Sequence, residues 1–185
     1  MKMIITENEF SYSKLKNIIG EPIKLKNLNS LGSCGFYLKL IKSENEKFNQ
    51  IQIDSKCNIQ TFTEGILLRF NHSNNVLSFP INYKSLKKIE LIRGEEFISP
   101  RIISLMKLLL KLGVKIRYAR YFANNKNINR LEYRISDVEL KIETSNLKMK
   151  FITNGYYFEN QVPFFKSLNK TEKTIIRKKP THNTG

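Results

Sequence analysis

The side chains able to do covalent or metal chemistry are few and scattered. The chain has two cysteines, Cys34 and Cys57, and two histidines, His72 and His182, with no C-x-x-C pair, so the close nitrogen and sulfur ligands of a zinc site are missing. Leu31-Gly-Ser-Cys-Gly35 sets two glycines around a serine and a cysteine. A hydrolase elbow needs G-x-S-x-G, and here Ser33 follows the first glycine directly, so Ser33 and Cys34 read as loop residues. General acid-base catalysis needs groups held together in a pocket. His72 falls in the polar turn Asn71-His72-Ser73-Asn74-Asn75 and His182 near the end of the chain, and both read as solvated. Glu95-Glu96, beside Gly94, reads as surface charge. No glycine-rich phosphate loop is present. The expectation is a chain that is not an enzyme, with no cofactor and no metal.

The charge balance carries more information. Against 16 Asp plus Glu stand 32 Lys plus Arg, a formal +16, which favours anionic partners: an acidic lipid surface, nucleic acid or an acidic protein. A joint richness in Ile, Asn and Lys offers a second source for the same excess, a bias in the composition itself. Two stretches concentrate the basic groups. Val114 to Phe122, VKIRYARYF, alternates as a strand, with Lys115, Arg117, Ala119 and Tyr121 on one face and Val114, Ile116, Tyr118 and Phe122 on the other. The segment from Lys166 to Lys179 contains Lys166, Lys170, Lys173, Arg177, Lys178 and Lys179 against the single Glu172. At about 1 kcal/mol for each basic residue near an anionic leaflet it would supply at most about 5 kcal/mol, between three and four decades of affinity. The candidate anion-binding residues are thus Lys115, Arg117, Arg120, Tyr121, Lys173, Arg177, Lys178 and Lys179. A single-stranded nucleic acid would use Arg117, Arg120 and Tyr121 for backbone neutralisation and base stacking. A protein partner would use an exposed strand edge or an apolar helix.

These groups must be positioned by short strands. Gly65 to Arg93, GILLRFNHSNNVLSFPINYKSLKKIELIR, reads as three antiparallel strands in succession, with Ile66, Leu68 and Phe70, then Leu77, Phe79 and Ile81, then Ile89 and Leu91 at a period of two. Pro80 suits only an edge or a strand end. Upstream, Phe10 to Ile19 has helical spacing and stops at Gly20. Phe36 to Leu40 alternates as a strand, and Ile51 to Ile53 and Ile59 to Phe62 are weaker candidates. Downstream, Ser99 and Pro100 suit a helix start and Gly113 its end, so Arg101 to Leu112 is a helix with one polar stripe, Ser104, Lys107 and Lys111. At about 1.5 Å per residue it spans roughly 18 Å, short of a bilayer core of about 30 Å. It is expected to pack into the core, the alternative being a membrane interface with its lysines snorkelling. Leu131 to Ile135, Val138 to Ile142 and Leu147 to Phe151 make three more alternating strands joined by short links, for which a meander is the simplest topology. Gln161 to Leu168 then reads as a helix capped by Asn160, with Val162, Phe165 and Leu168 facing inward. The expected architecture is mainly β, α+β, a single antiparallel bent barrel or sandwich of about seven strands, with an inserted helix near 101–112 and a capping helix near 161–168. Residues 1–22 form an N-terminal segment, 23–168 the single domain and 169–185 a basic mobile tail. The N-terminus turns polar too soon for a signal peptide, so the expected location is the cytoplasm, peripheral at the inner face of a membrane if lipid is the partner.

The runs Gly65-Ile-Leu-Leu-Arg-Phe, Leu77-Ser-Phe-Pro-Ile-Asn-Tyr83 and Leu86-Lys-Lys-Ile-Glu-Leu91 resemble those of small bacterial pleckstrin-homology-like proteins. The resemblance implies a seven-stranded, strongly bent barrel plugged by a C-terminal helix, here Gln161 to Leu168, with Arg101 to Leu112 inserted between strands. It also implies a binding or scaffolding module, often at membranes, and names no ligand.

Overall fold

The computed structural model of the chain describes residues 4–6, 10–23, 35–43, 48, 51–72, 75–98, 104–124, 133–168 and 172–183. The protein is mainly β. In chain order the elements are β1 (Ile5–Thr6), α1 (Tyr12–Ile19), β2 (Phe36–Ser43), β3 (Lys56–Thr61), β4 (Gly65–His72), β5 (Asn75–Asn82), β6 (Leu86–Arg93) and β7 (Glu96–Ile98). They continue with α2 (Leu105–Lys111), α3 (Ile116–Asn124), β8 (Tyr133–Ile135), β9 (Val138–Thr144), β10 (Leu147–Thr153), α4 (Phe158–Ser167), β11 (Thr174–Lys178) and β12 (Thr181–Asn183).

Seven of these strands run in the order β5-β4-β3-β2-β10-β9-β6, every neighbour antiparallel. The two outer members, β5 and β6, are consecutive in sequence and separated only by residues 83–85. A link that short reaches at most about 14 Å, whereas six inter-strand gaps at about 4.8 Å would carry a flat sheet about 29 Å. The sheet must therefore bend on itself. What it bends around is one apolar cluster to which all seven strands contribute, among them Leu38, Ile59, Phe70, Phe79, Leu91, Leu140 and Phe151, and which α4 completes with Phe158, Phe164, Phe165 and Leu168. Phe70 and Phe151, from strands on either side of the fold, stack with centroids 6.1 Å apart.

The barrel expected from the sequence does not close. β5 and β6 do not pair with each other, so Gly65 to Arg93 is a hairpin followed by a strand at the far end of the sheet, not three strands in succession. Each outer edge is taken instead by an added strand, β1 on β5 and, in parallel, β11 on β6. Pro80 falls two residues beyond the end of the β1 pairing at Ser78, where its missing donor interrupts no ladder. On the opposite face of β4, Leu67 packs with Leu15 and Ile19 of α1, and the Asn82 amide donates to the Ile18 carbonyl at 2.7 Å. The expected α1 and its stop at Gly20 are both present. Ile51 to Ile53 forms a bend and turn, with Asp54 at φ 66 just beyond it, and joins no strand.

β7 and β8 leave the large sheet and pair with β12 in a separate three-stranded sheet, β12-β7-β8. The meander expected through Leu131 to Phe151 is thus broken between β8 and β9. The chain crosses between sheets at Ser136-Asp137, and two glycines let other segments approach that crossing. A Cβ on Gly94 would lie 2.5 Å from the Ser136 carbonyl oxygen, and one on Gly155 would lie 2.3 Å from the same atom. α4 starts at Phe158, three residues before the expected Gln161, because a 3-10 turn at Gly155–Tyr157 leads directly into it. Asn160 is consequently inside the helix and does not cap it, and Val162 is only partly buried.

Removing the ring of Phe151, fully buried and stacked on Phe70, should cost about 3 to 5 kcal/mol. Leu112→Ala, at a side chain 71% exposed, should change stability by about 0.5 kcal/mol or less. Urea unfolding of the two variants checks the contrast; equal losses would mean that the core is not where the strand order puts it.

Candidate functional site

The insertion between β7 and β8 folds as a pair of short helices. α2 begins at Ser104, whose hydroxyl accepts the Lys107 backbone N-H at 3.1 Å, and is followed by Gly113 at φ 77. The expected start at Ser99 and Pro100 lies outside the described residues. α3 occupies the stretch expected as a strand, so that reading is corrected. A short apolar run matches both periods, and the helical one wins because Ile116, Ala119 and Arg120, three and four apart, are the groups the rest of the molecule takes up. Ala119 is fully buried with Met106 of α2 and Tyr133 of β8, and Leu109, Leu110, Val114 and Ile116 pack around them.

The change of period turns other side chains outward. Tyr118 and Phe122, which strict alternation would turn inward with Val114 and Ile116, are 55% and 53% exposed, beside Tyr121 at 63%. Lys115 and Arg117 are exposed as expected, whereas Arg120 is not: its guanidinium lies 3.3 Å from the centroid of the Tyr156 ring and 5.5 Å from that of Tyr133. The expectation that the helix before Gly113 is a core helix is also corrected. Only Met106 of α2 is fully buried, and Leu105, Leu108 and Leu112, three and four apart, are 37%, 55% and 71% exposed next to the exposed Lys107 and Lys111. Residues 104–124 include five basic residues and no acidic one. The hairpin therefore displays leucine, aromatic and cationic side chains without a counter-charge of its own.

A buried carboxylate fixes the base of this hairpin. Glu96 of β7, read from sequence as surface charge, is 6% exposed. It accepts a hydrogen bond from the Tyr133 hydroxyl of β8 and one from Thr181 of β12 at 2.8 Å, and pairs with Arg93 of β6 at 2.9 Å. Burial pushes its carboxyl up, but the Tyr133 and Thr181 hydroxyls and the Arg93 guanidinium outweigh it and hold the group below the ordinary carboxylate value. Tyr133 is driven up, by burial first and by Glu96 second. Through Tyr133 and Tyr156, whose hydroxyl donates to the Tyr133 carbonyl at 3.2 Å, the same cluster receives Arg120 of α3.

The expected mobile tail is, over residues 174–178 and 181–183, a strap of two strands. β11 runs parallel to β6 and β12 parallel to β7. Its basic residues are engaged. Lys173 donates to the Tyr83 carbonyl at 3.1 Å, Arg177 meets Glu90 at 3.0 Å, Lys178 meets Glu159 at 2.7 Å and Lys179 lies 3.9 Å from Glu139. His182 is stacked on Phe97 with centroids 5.2 Å apart and lies 3.8 Å from Glu95. Of the eight expected anion-binding residues, the structure displays Lys115, Arg117 and Tyr121 together, commits the other five to contacts within the chain, and adds Lys107, Lys111, Tyr118, Phe122 and the three leucines. The signal for the two lysines and the leucines was present in the sequence as an apolar helix with one narrow lysine stripe, whereas Tyr118 and Phe122 fall in the stretch whose alternation reads as a strand. No family model, no curated protein and no solved structure matches the chain.

Glu96→Ala leaves Arg93, itself only 12% exposed, without its carboxylate, and should cost about 3 to 5 kcal/mol in urea unfolding. Because the folded-state carboxyl is lowered, the stability Glu96 contributes is complete above the ordinary value of 4.5 and is lost as pH falls through the lowered one. The stability gap between the protein and Glu96→Gln should therefore narrow below about pH 4.5; a gap that widens there would contradict the assignment.

Proposed function

We propose that the protein is a non-enzymatic binding or scaffolding module of the pleckstrin-homology-like kind, recruited to an anionic membrane surface through the α2–α3 hairpin. The observation that carries this reading is the exposure of Leu108, Leu112, Tyr118, Tyr121 and Phe122 among Lys107, Lys111, Lys115 and Arg117. An apolar face flanked by cations suits the boundary between headgroups and acyl chains, where aromatic rings settle and lysine stems lie along apolar surface with their ammonium groups in water. Among the described residues no helix is long and apolar enough to cross a membrane, so contact through this hairpin is lateral and reversible. Seven antiparallel strands bent around one core and a helix after the last of them support the family reading. In the strap, Arg177, Lys178 and Lys179 remain exposed but each already lies beside a carboxylate, so the strap is the weaker contributor to the contact.

The energetics favour two modest contributions acting together. Four exposed basic residues at about 1 kcal/mol each give about three decades of affinity for an anionic leaflet. Burying the exposed half of a leucine adds about 1 kcal/mol, half the value for full burial. Neither alone gives stable attachment. A single-stranded nucleic acid is the second reading, favoured by Tyr118 and Tyr121 emerging on the same helix face as Arg117. The leucines speak for lipid, since bases stack on rings and have no use for a branched aliphatic row.

Co-sedimentation with neutral and anionic vesicles tests the reading, with a single-stranded oligonucleotide as competitor. Lys107→Gln with Lys111→Gln should weaken binding to anionic vesicles by about 2 kcal/mol, roughly thirtyfold, at low salt. Leu108→Ser with Leu112→Ser should weaken it at every salt concentration. Unchanged vesicle binding in both pairs would remove the hairpin from the contact. Displacement by oligonucleotide, with a cost of about 1 to 3 kcal/mol for Tyr121→Ala, would move the assignment to nucleic acid.

A further inference from the structure

The C-terminal strap is attached unlike any other part of the two sheets. From Glu172 to His182 no side chain is buried, and its apolar hold is Ile176, partly buried against the main cluster. Both of its pairings, β11 with β6 and β12 with β7, are parallel, the less stable arrangement per residue. The Thr174 hydroxyl is enclosed and meets no hydrogen-bond partner among the described residues, a cost that lifting the strap would remove. Besides the ladder, carboxylates hold it. Of the 16 acidic residues in the chain, Glu90, Glu95, Glu96, Glu139 and Glu159 each meet a strap side chain. Those carboxylates do not depend on the strap in return. Glu90, with a side chain 8% exposed, lies 3.0 Å from Arg177 but also 3.4 Å from Lys88. Glu139 lies 3.9 Å from Lys179 but 3.3 Å from Lys150 and 3.8 Å from Lys141. Glu96 would keep Arg93 and Tyr133, and the exposed Glu159 would pass to water. An orphaned buried charge is what makes breaking a buried pair costly, and lifting this strap leaves none.

We propose that the strap is a reversible clasp, held by the carboxylates of the body in solution and drawn off them by an anionic lipid surface. The inference rests on the reading that the hairpin brings the protein to such a surface. β12 belongs to the three-stranded sheet from which the hairpin springs, between β7 and β8, so a leaflet held by the hairpin lies at the end of the molecule where the strap finishes. Lys173, Arg177, Lys178 and Lys179 then exchange one set of negative partners for another. Docked, they add little to membrane contact, because each already has an acceptor within the chain. Released, each adds about fivefold in affinity for an anionic leaflet. The clasp therefore holds back part of the attraction until the hairpin has engaged, and its departure opens the edges of β6 and β7.

The experiment uses the full chain and reads amide hydrogen exchange. The reporters are Lys179, whose N-H donates to the Arg93 carbonyl at 3.1 Å, and two amides of the body, Ile89 and Glu96, which donate to the Lys173 and Pro180 carbonyls at 2.9 and 3.2 Å. Without lipid, raising the salt should lower their protection about tenfold, the joint worth of three ion pairs at the surface, and leave that of Phe151 in β10 unchanged. Phosphatidylserine vesicles at low salt should lower the protection of Ile89 and Glu96 likewise, and phosphatidylcholine vesicles should not. Glu159→Gln, which frees Lys178, should raise affinity for phosphatidylserine vesicles about fivefold. Glu64→Gln, an equal change of charge beside the end of α1, should raise it less. Leu108→Ser with Leu112→Ser should weaken vesicle binding and leave the salt response untouched. Protection indifferent to salt, or retained in a chain bound to phosphatidylserine vesicles, would overturn the clasp and leave the hairpin reading standing; failure of the full chain to bind those vesicles would overturn both. Equal gains from the two glutamate substitutions, or release by a single-stranded oligonucleotide and not by vesicles, would also overturn it.

Discussion

A carboxylate buried at the junction of two sheets constrains most of what surrounds it. Glu96 is 6% exposed, and an ionised carboxyl withdrawn from water is tolerable only where hydrogen bonds and an opposite charge replace the water it loses. Its partners come from different parts of the chain: Arg93 from the last residue of β6, Tyr133 from β8 and Thr181 from β12. Satisfying one group thus fixes where the large sheet ends, where the insertion returns and where the C-terminal strap lies. The hairpin inherits this order, because Arg120 of α3 rests on Tyr156 and Tyr133, the second of which is already tied to Glu96. A short helix pair with a small apolar cluster of its own, built on Met106, Ala119 and Tyr133, would otherwise have little to hold it to the body.

The sequence made six of the seven main strands legible because each keeps a period of two over enough residues to name its inward face; β3 is only a weaker candidate over Ile59 to Phe62 and runs instead over Lys56–Thr61. Leu38, Ile59, Leu68, Phe79, Leu91, Leu140 and Phe151 all point where alternation places them. What alternation cannot supply is the partner of each strand. β5 and β6 are joined by a link short enough for a hairpin and still lie at opposite ends of the seven-strand run, since the curvature that brings their ends together depends on a core gathered from the whole chain. The same limit applies to β11. Thr174 to Lys178 carries isoleucines at 175 and 176 among cations, a pattern too short and too polar to announce a strand, and it becomes one by pairing along the exposed edge of β6.

The α3 segment shows why the candidate site was only half visible. VKIRYARYF fits a strand at every second position and a helix at Ile116, Ala119 and Arg120, and nothing local decides between them. The deciding contacts, Met106 against Ala119 and Arg120 against Tyr156, join residues distant in sequence. Lys115, Arg117 and Tyr121 face solvent under either period, so those three survive the change. Tyr118 and Phe122 reverse, and with them the character of the surface changes from a basic strand with one tyrosine to an aromatic and aliphatic face rimmed by cations.

The distribution of unpaired charge follows from the same topology. With twice as many basic as acidic residues, the chain has carboxylates for only part of its cations, and the strap draws on four of them: Glu90, Glu159 and Glu139 with Arg177, Lys178 and Lys179, and Glu95 beside His182. Strand pairing places those acids and bases in register, so the cations most crowded in sequence are among those neutralised in space. Among the described residues, Lys107, Lys111, Lys115 and Arg117 of the hairpin and Lys42 and Lys87 of the large sheet form no ion pair with a carboxylate. Lys14, Lys56, Lys84 and Lys166 are likewise exposed and without an ion pair among the described residues, and none of them sits in the hairpin. What sets the hairpin apart is that its uncompensated cations stand on the same two short helices as exposed rings and leucines.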